Sequence, residues 1–327
     1  MSAEGDIGLV DPGLRRPSGA SRPRAAVVLG AGGARGLAHI GVLEALEERG
    51  YEIAAIAGSS MGALVGAMYA AGRLDDYKAW AFGHDKREIF ALLDFAYGQG
   101  GLFKGERIMA ALREIVGDVT IESLPIPYVA VATDIQSQRE LWLTRGSLFD
   151  AVRASIAIPG IFTPIRIAGR DLVDGGLLDP LPIAATRHAL VDLVVAVDVN
   201  ARTPRRMPGA PAEPEPEPEP VQIDAGPRVR LGAWLSALTE RRRVAPAGSQ
   251  QGIFDLMLRS LDTMQGQISR LQAALDPPDV LVRVPRASAA FYEFWRAREL
   301  AGLGNDLAHR ALDTLVENDA EGARSGR

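Results

Sequence analysis

The chain has 327 residues, 47% of them hydrophobic and 24% charged, with 36 Lys and Arg against 41 Asp and Glu for a formal charge of −5. That is ordinary globular composition, enough for one large α/β domain or two modest ones, and the acidic balance disfavours a role gripping nucleic-acid phosphates. There is no cysteine, which excludes disulfides, thiolate catalysis and Cys-built metal sites, and His39, His84, His188 and His309 are too scattered for a His-built metal site.

Residues 1–24 are rich in Gly, Pro, Ser and Arg and lack a continuous apolar h-region. They read as a disordered N-terminal tail rather than a secretory leader, which predicts a cytoplasmic protein. A first strand follows in Arg24-Ala-Ala-Val-Val-Leu-Gly, a β-branched run ending in glycines. Ala34 to Gly50 predicts a helix, with Leu37, Ile40, Leu43 and Leu46 on one face and Glu44, Glu47 and Glu48 mostly on the other. Tyr51–Ala57 predicts a strand and Met61–Ala71 a helix. The stretch Ile53–Gly72 carries no charge and is long enough to span a bilayer. Its Ala, Gly and Ser content instead favours a buried strand, turn and helix.

Further strands are predicted at Tyr128–Thr133, Glu140–Thr144 and Leu193–Val199, and a hairpin joins Ile165–Ile167 to Asp171–Val173. Helices are predicted at Glu106–Val116, Leu148–Ala157 and Pro182–Ala189. From about 201 to 249 the composition shifts, and Glu213-Pro-Glu-Pro-Glu-Pro-Glu-Pro220 reads as a flexible, solvated insertion. Periodicity resumes over Ile253–Leu275, where Phe254, Met257, Leu258, Leu261, Met264, Ile268, Leu271 and Leu275 mark a helical apolar face. A strand at Val280–Val284 and closing helices at Phe291–Leu300 and Asn305–Val316 complete a domain over 25–317, with a frayed end over 318–327. Strand–helix alternation of this kind implies a mainly parallel sheet covered on both faces.

Three motifs carry chemistry. Gly58-Ser59-Ser60-Met61-Gly62 is a G-x-S-x-G between a predicted strand and a predicted helix. There the serine sits on a sharp turn with its hydroxyl presented, the glycines relieve crowding, and the helix N-terminus favours a developing alkoxide. Leu29-Gly30-Ala31-Gly32-Gly33-Ala34-Arg35-Gly36 fails the dinucleotide fingerprint in both registers. It does supply backbone N–H groups at a strand-to-helix junction, able to bind a phosphate or the oxyanion of an acyl-transfer intermediate. Asp174-Gly175-Gly176 is a favoured turn sequence, and its carboxylate is also a candidate proton acceptor for Ser60.

Taken in order, Gly32-Gly33-Ala34-Arg35-Gly36, Gly58-x-Ser60-x-Gly62 and Asp174-Gly175-Gly176 resemble the patatin-like phospholipase family. The block Arg153-Ala-Ser-Ile-Ala-Ile-Pro-Gly-Ile-Phe-Thr-Pro164 is similar to one that family carries between its serine and its aspartate. Leu29 to Leu43 resembles its bacterial branch. The resemblance covers about Ala25–Asn200 and weakens over Ile253–Val316. It implies a three-layer α/β/α sandwich with a Ser–Asp dyad, Ser60 as nucleophile and Asp174 as base. It also implies an oxyanion hole from the N–H groups of Gly32, Gly33, Ala34 and Arg35, with Gly36, Gly58, Gly62, Gly175 and Gly176 supporting the motifs. Ala31 departs from the glycine many relatives carry. Lipid acyl esters, of phospholipid or lysophospholipid, are the implied substrate; no metal or organic cofactor is needed, and peripheral membrane contact goes with such a substrate.

Two other readings remain. His188 follows Ser60 and an acid in chain order, as a Ser–His–Asp esterase requires, although its predicted helical setting is wrong for a triad histidine. A non-catalytic regulator gripping phosphate or a nucleotide on the glycine-rich segment is the other. Trp80, Phe82, Ile89, Phe90, Leu92, Leu93, Phe95 and Tyr97 either line an acyl pocket, form a lid, or make an ordinary buried face.

Overall fold

The computed structural model describes residues 22–96, 101–202 and 253–325. The predicted tail up to residue 21, Tyr97 and nearly all of the Pro/Glu-rich insertion lie outside the described residues. Residues 22–202 and 261–325 fall in one compact unit, and residues 253–260 belong to a second.

The strands are β1 (Arg24–Leu29), β2 (Glu52–Ser59), β3 (Gly101–Phe103), β4 (Tyr128–Asp134), β5 (Arg139–Leu143), β6 (Gly160–Phe162), β7 (Ile165–Ile167), β8 (Arg170–Asp174), β9 (Leu193–Ala201) and β10 (Val280–Pro285). The helices are α1 (Ala38–Glu48), α2 (Met61–Ala70), α3 (Leu74–Gly83), α4 (Lys86–Ala91), α5 (Glu106–Val116), α6 (Leu148–Ser155), α7 (Ile253–Leu275) and α8 (Ala297–Ser325).

The main sheet runs β10-β9-β1-β2-β4-β8-β7, with β5 also on β4. From β10 to β4 every pairing is parallel; β5, β8 and β7 are joined antiparallel. Side chains alternate across the pleat as the β period requires. In β1, Ala25, Val27 and Leu29 enter the large core under α1, α2, α6 and α8. Val28 points the other way, into a smaller cluster with Leu181, Ile183, Ala196 and Ala273 of α7. The sheet is therefore covered on both faces. Neighbours diverge on either side of β1, to β2 on one flank and β9 on the other. In open parallel sheets such a switch point leaves a crevice at the strands' C-terminal ends. The uncharged run at 53–72 forms β2 and α2 at the centre of the core.

Four local expectations are corrected. The helix predicted from Ala34 opens with a 3-10 turn over Gly33–Leu37 before α1 begins. Pro182–Ala189 is not an α-helix: only a 3-10 turn forms at Ile183–Thr186, where the Thr186 hydroxyl donates to the Ile183 carbonyl and the Arg187 N–H goes instead to Ala184. The two closing helices are one, α8, continuous past Asn318 to Ser325, with a 3-10 turn at Phe294–Arg296 ahead of it. Finally, α7 has the predicted helical period but is turned from the predicted facing. Met264, Leu271 and Leu275 are exposed and Leu261 and Ile268 only half-buried, whereas Gln265 and Ser269 are buried.

Where α1 crosses α8 the backbones nearly touch. A Cβ at Gly41 would lie 1.8 Å from the Ala301 carbonyl oxygen, and one at Gly304 would lie 2.0 Å from that of Ala38. Helix propensity alone makes Gly41→Ala stabilising by roughly 1 kcal/mol. The crossing reverses that sign, because overpacking costs about 1–3 kcal/mol or more. Urea denaturation of the full chain is expected to show a net loss for Gly41→Ala; equal or greater stability would mean that the helices slide apart freely.

Candidate active site

Ser60 stands between the end of β2 and the start of α2, at φ 55° and ψ −122°. Few non-glycine residues occupy this region, and such strain persists only where the surroundings hold it. The surroundings here are tight. A Cβ at Gly62 would sit 2.0 Å from the Leu29 carbonyl oxygen, and one at Gly58 would sit 2.5 Å from the backbone of Gly62. Only glycine at both places lets α2 start against the end of β1. The Ser60 N–H donates to the Ser155 hydroxyl at 2.9 Å, and that hydroxyl donates to the Val131 carbonyl at 2.6 Å. Ser155, fully buried at the end of α6, thus pins the strained turn to β4.

Sheet register brings the acid to the alcohol. Ser59 pairs with Val131 across β2 and β4, and Ala132 pairs with Asp174 across β4 and β8. The residue after Ser59 is thereby level with Asp174 although 114 positions separate them, and the Ser60 hydroxyl donates to Asp174 Oδ2 at 2.5 Å. The other carboxylate oxygen accepts the Gly176 N–H at 2.7 Å, and the Asp174 carbonyl takes the Thr133 hydroxyl at 3.0 Å. Ser60 and Asp174 are 4% and 1% exposed. Burial pushes the Asp174 carboxyl up to about 7, against the lowering pull of the Ser60 hydroxyl and the Gly176 N–H. Gly175 cannot carry a side chain, since its Cβ would meet the Val131 carbonyl at 2.2 Å.

The glycine-rich turn packs beside this pair. A Cβ at Gly176 would lie 2.7 Å from the Ala31 methyl and 3.0 Å from Asp174 Oδ1. Gly36 abuts Met61, the residue after Ser60. Of the four donors predicted for an oxyanion hole, Ala34 is already engaged: its N–H donates to the Phe291 carbonyl at 2.9 Å. Arg35 begins the i→i+3 bonding of the 3-10 turn, so its N–H is directed to Gly32. Of the four N–H groups, those of Gly32 and Gly33 remain without an acceptor among the described residues.

The histidines stand apart. His39 is fully buried under the turn, its Nε2 2.8 Å from the Gly30 carbonyl, and burial lowers its pKa to about 4. Contact with a carbonyl requires Nε2 to carry the proton, so His39 is a neutral prop. His188 is exposed just after the 3-10 turn Ile183–Thr186. Two residues later, the Leu190 carbonyl accepts from Arg24 at the opening residue of β1, the opposite end of the parallel strands from Ser60. The fold does not bring His188 to the Ser60–Asp174 pair. A second buried acid, Asp179, is also pushed up to about 7, by burial first and then by the nearby Glu140. Gln272 of α7 donates to it at 2.5 Å. Sequence reading assigned no role to Ser155, Phe291, Asn200 or Gln272, whose partners here lie far away in the chain.

A serine on a strand–turn–helix elbow with a buried carboxylate partner, on an α/β/α sandwich, defines the class of structure. Residues 27–187 match the family model of the patatin-like phospholipases. An uncharacterized NTE family protein of Mycobacterium tuberculosis is 40% identical over 353 residues, covering 95% of this chain and 98% of that one. Patatin-like phospholipase domain-containing protein 7 of Mus musculus is 37% identical over 184 residues, 54% of this chain but 14% of that protein. The crystal structure of VipD from Legionella pneumophila aligns with a TM-score of 0.43 and 15% identity, over 90% of this chain and 67% of that one. The chain belongs to the patatin-like phospholipase family, whose members are generally lipid acyl hydrolases.

The raised Asp174 pKa has a consequence for stability. In the fold the carboxyl stays protonated up to about pH 7, while in the unfolded chain it ionises near 3.8. The unfolded state therefore binds fewer protons across that window, and stability falls as pH rises from about 4 to about 7. Asp174→Asn removes this loss. Denaturation at a series of pH values is expected to show the variant more stable than wild type by on the order of a few kcal/mol above pH 7, with the gain gone below about pH 4. A pH-independent difference would mean that the carboxyl titrates normally.

Proposed function

We propose that this protein is a serine acyl hydrolase that cleaves lipid acyl esters, of phospholipid or lysophospholipid, with Ser60 as nucleophile and Asp174 as general base. The observation that carries the reading is the 2.5 Å hydrogen bond from the Ser60 hydroxyl to a carboxylate that water scarcely reaches. An alcohol is a weak nucleophile until a base takes its proton. A carboxyl poised near 7 is better matched to that task than an ordinary aspartate near 4.

In the first step Asp174 Oδ2 accepts the Ser60 proton as Oγ bonds to the ester carbonyl carbon. The carbonyl oxygen takes the negative charge, received by the N–H groups of Gly32 and Gly33 and by the positive end of α2. As the tetrahedral intermediate collapses, Asp174 returns the proton to the departing alcohol oxygen. Water, deprotonated by the same carboxylate, then attacks the acyl-serine, and as that intermediate collapses Asp174 returns the proton to Ser60 Oγ, releasing the fatty acid and free serine. No metal or organic cofactor enters either step.

An apolar acyl chain is supported by aromatic side chains beside the turn. The Phe291 ring lies against Gly33, and Trp295, in the 3-10 turn packed on the Gly33–Leu37 turn, has its ring 6.2 Å from Tyr292 and 6.1 Å from Phe90. Peripheral contact with a lipid surface from the cytoplasm accompanies this reading; among the described residues no helix is long and apolar enough to cross a membrane.

A fluorophosphonate is expected to label wild type at Ser60 and to leave Ser60→Ala unmodified, read by peptide mass spectrometry. Absence of label on the folded wild-type chain defeats the proposal. On a p-nitrophenyl ester, kcat/KM is expected to rise with pH through about 7 as Asp174 ionises. Asp174→Asn should lose about 1000-fold or more by analogy with other nucleophile–base pairs. His188→Ala should hydrolyse the same ester within about twofold of wild type, since a surface substitution away from the site seldom matters; a collapse of kcat in that variant selects a triad instead.

A further inference from the structure

We infer that Asn200 and Arg35, with Asp262 behind Arg35, are positioning residues that aim the donor N–H groups of the glycine-rich turn. This rests on the oxyanion role proposed above for Gly32 and Gly33. A trans peptide unit is planar, so its C=O and the following N–H point in opposite directions. To hold a carbonyl is therefore to aim the next residue's N–H. The Gly32 N–H shares its plane with the Ala31 carbonyl, and the Gly33 N–H shares its plane with the Gly32 carbonyl.

Both carbonyls are gripped by side chains. Asn200 Nδ2 donates to the Ala31 oxygen at 2.6 Å, and Arg35 Nε donates to the Gly32 oxygen at 3.2 Å. One residue earlier, His39 holds the Gly30 carbonyl, and the Ala31 N–H is tied to the Pro180 carbonyl at 2.8 Å. One residue later, the Ala34 N–H is tied to Phe291. The turn is thus fixed on either side of two N–H groups that meet no described acceptor. Such fixing matters at adjacent glycines, where a peptide plane rotates with little steric resistance.

The grips orient one another. Arg35 Nη2 donates to Asn200 Oδ1 at 2.7 Å, and a guanidinium has only donors. The Asn200 amide oxygen must therefore face Arg35, which leaves its NH2 group for Ala31. The Asn200 backbone N–H is held in turn by Asp198 at 2.9 Å. Arg35, 2% exposed, spans the floor of the turn, with Nη1 3.3 Å from the Arg286 carbonyl. Its Nη2 also meets Asp262 Oδ1 at 2.5 Å, and the second Asp262 oxygen takes Arg286 at 2.5 Å. Asp262 thereby neutralises a buried cation and fixes the plane from which Nε reaches Gly32.

The decisive variant is Asn200→Asp, which keeps the side-chain shape and replaces the donor facing Ala31 with an oxygen that repels it. Misaiming one of two oxyanion donors is expected to lower kcat on a p-nitrophenyl ester about 10–100-fold with KM within about twofold. Affinity for a trifluoromethyl ketone is expected to fall by the same factor, because its adduct with Ser60 places an oxyanion where the ester's would form. Asp262→Ala should lose about 3–10-fold in kcat, and Asp262→Asn, which still offers Arg35 an oxygen, should recover most of it. A network that merely supports the fold would lower the melting temperature and leave kcat and inhibitor affinity of the folded protein intact; that result overturns the inference. If Asn200→Asp does not fold, the Asp262 pair decides by the same readouts. Wild type labelled at Ser60 alongside unaffected variants sinks the positioning role alone, whereas wild type left unlabelled sinks the oxyanion reading and the positioning role with it.

Discussion

A carboxylate withdrawn from water and set 2.5 Å from an alcohol is an expensive arrangement, and the neighbouring structure is organised around keeping it. Burial disfavours the charged form of Asp174, and among the described residues only the Ser60 hydroxyl and the Gly176 N–H bond its side chain. Neither partner is a cation. A nearby arginine would have stabilised the charged form and lowered the pKa below the range useful to a base. Arg35 does lie close to the glycine turn, but its charge is spent on Asp262. The charged form of Asp174 is thus left costly, its burial unopposed by any cation among the described residues.

Geometry at the pair follows from strand register. The core places β1, β2 and β4 side by side through alternating Val, Ile, Leu and Ala side chains, and a shift of one residue in any pairing would turn those side chains to the wrong face. The same register that buries Val27 and Ile56 therefore sets the heights of Gly30, Ser60 and Asp174 at the sheet edge. Ser155 adds a clamp from α6, so the strained turn is held by the sheet below and a helix beside it. Packing far from the site and precision within it are one constraint.

Much of this was legible in the sequence, for identifiable reasons. Elements whose residues meet their nearest neighbours in chain order were read well: Glu106–Val116 coincides with α5, and the hairpin around Ala168-Gly169 is present as β7 and β8. The elbow and the Asp-Gly-Gly turn are short, local signatures, and the fold brings Ser60 and Asp174 within hydrogen-bond distance. Asn200 and Asp262 were not, since they act 165 and 227 residues from Arg35 and no local pattern marks either. The acceptor of the Ala34 N–H has no sequence signal either: a backbone N–H does not mark its partner, and Phe291 arrives from the far end of the chain.

Helix α7, turned from its expected facing, shows where binary patterning fails in principle. A helical apolar stripe predicts the buried face only when the neighbouring surface is an apolar core. From Leu261 onward the inner face of α7 meets, besides the small apolar cluster that Ala273 joins, loops at the C-terminal ends of the strands that offer carbonyls, N–H groups and charged side chains. Asp262 meets Arg35 there, and Gln265 packs on Gly176. Gln272 donates to Asp179 and accepts the Leu181 N–H. Asp262, Gln265 and Gln272, spaced by three and then seven positions on one face, thus carry polar side chains where polar groups face them. An apolar residue at Gln272 would strand two buried groups, at a cost larger than the area it would bury. The stripe Met264, Leu271 and Leu275 is displaced outward as a result. The helix is amphipathic for two different surroundings, and its polar side ties the segment following the insertion directly to the turn beside Ser60.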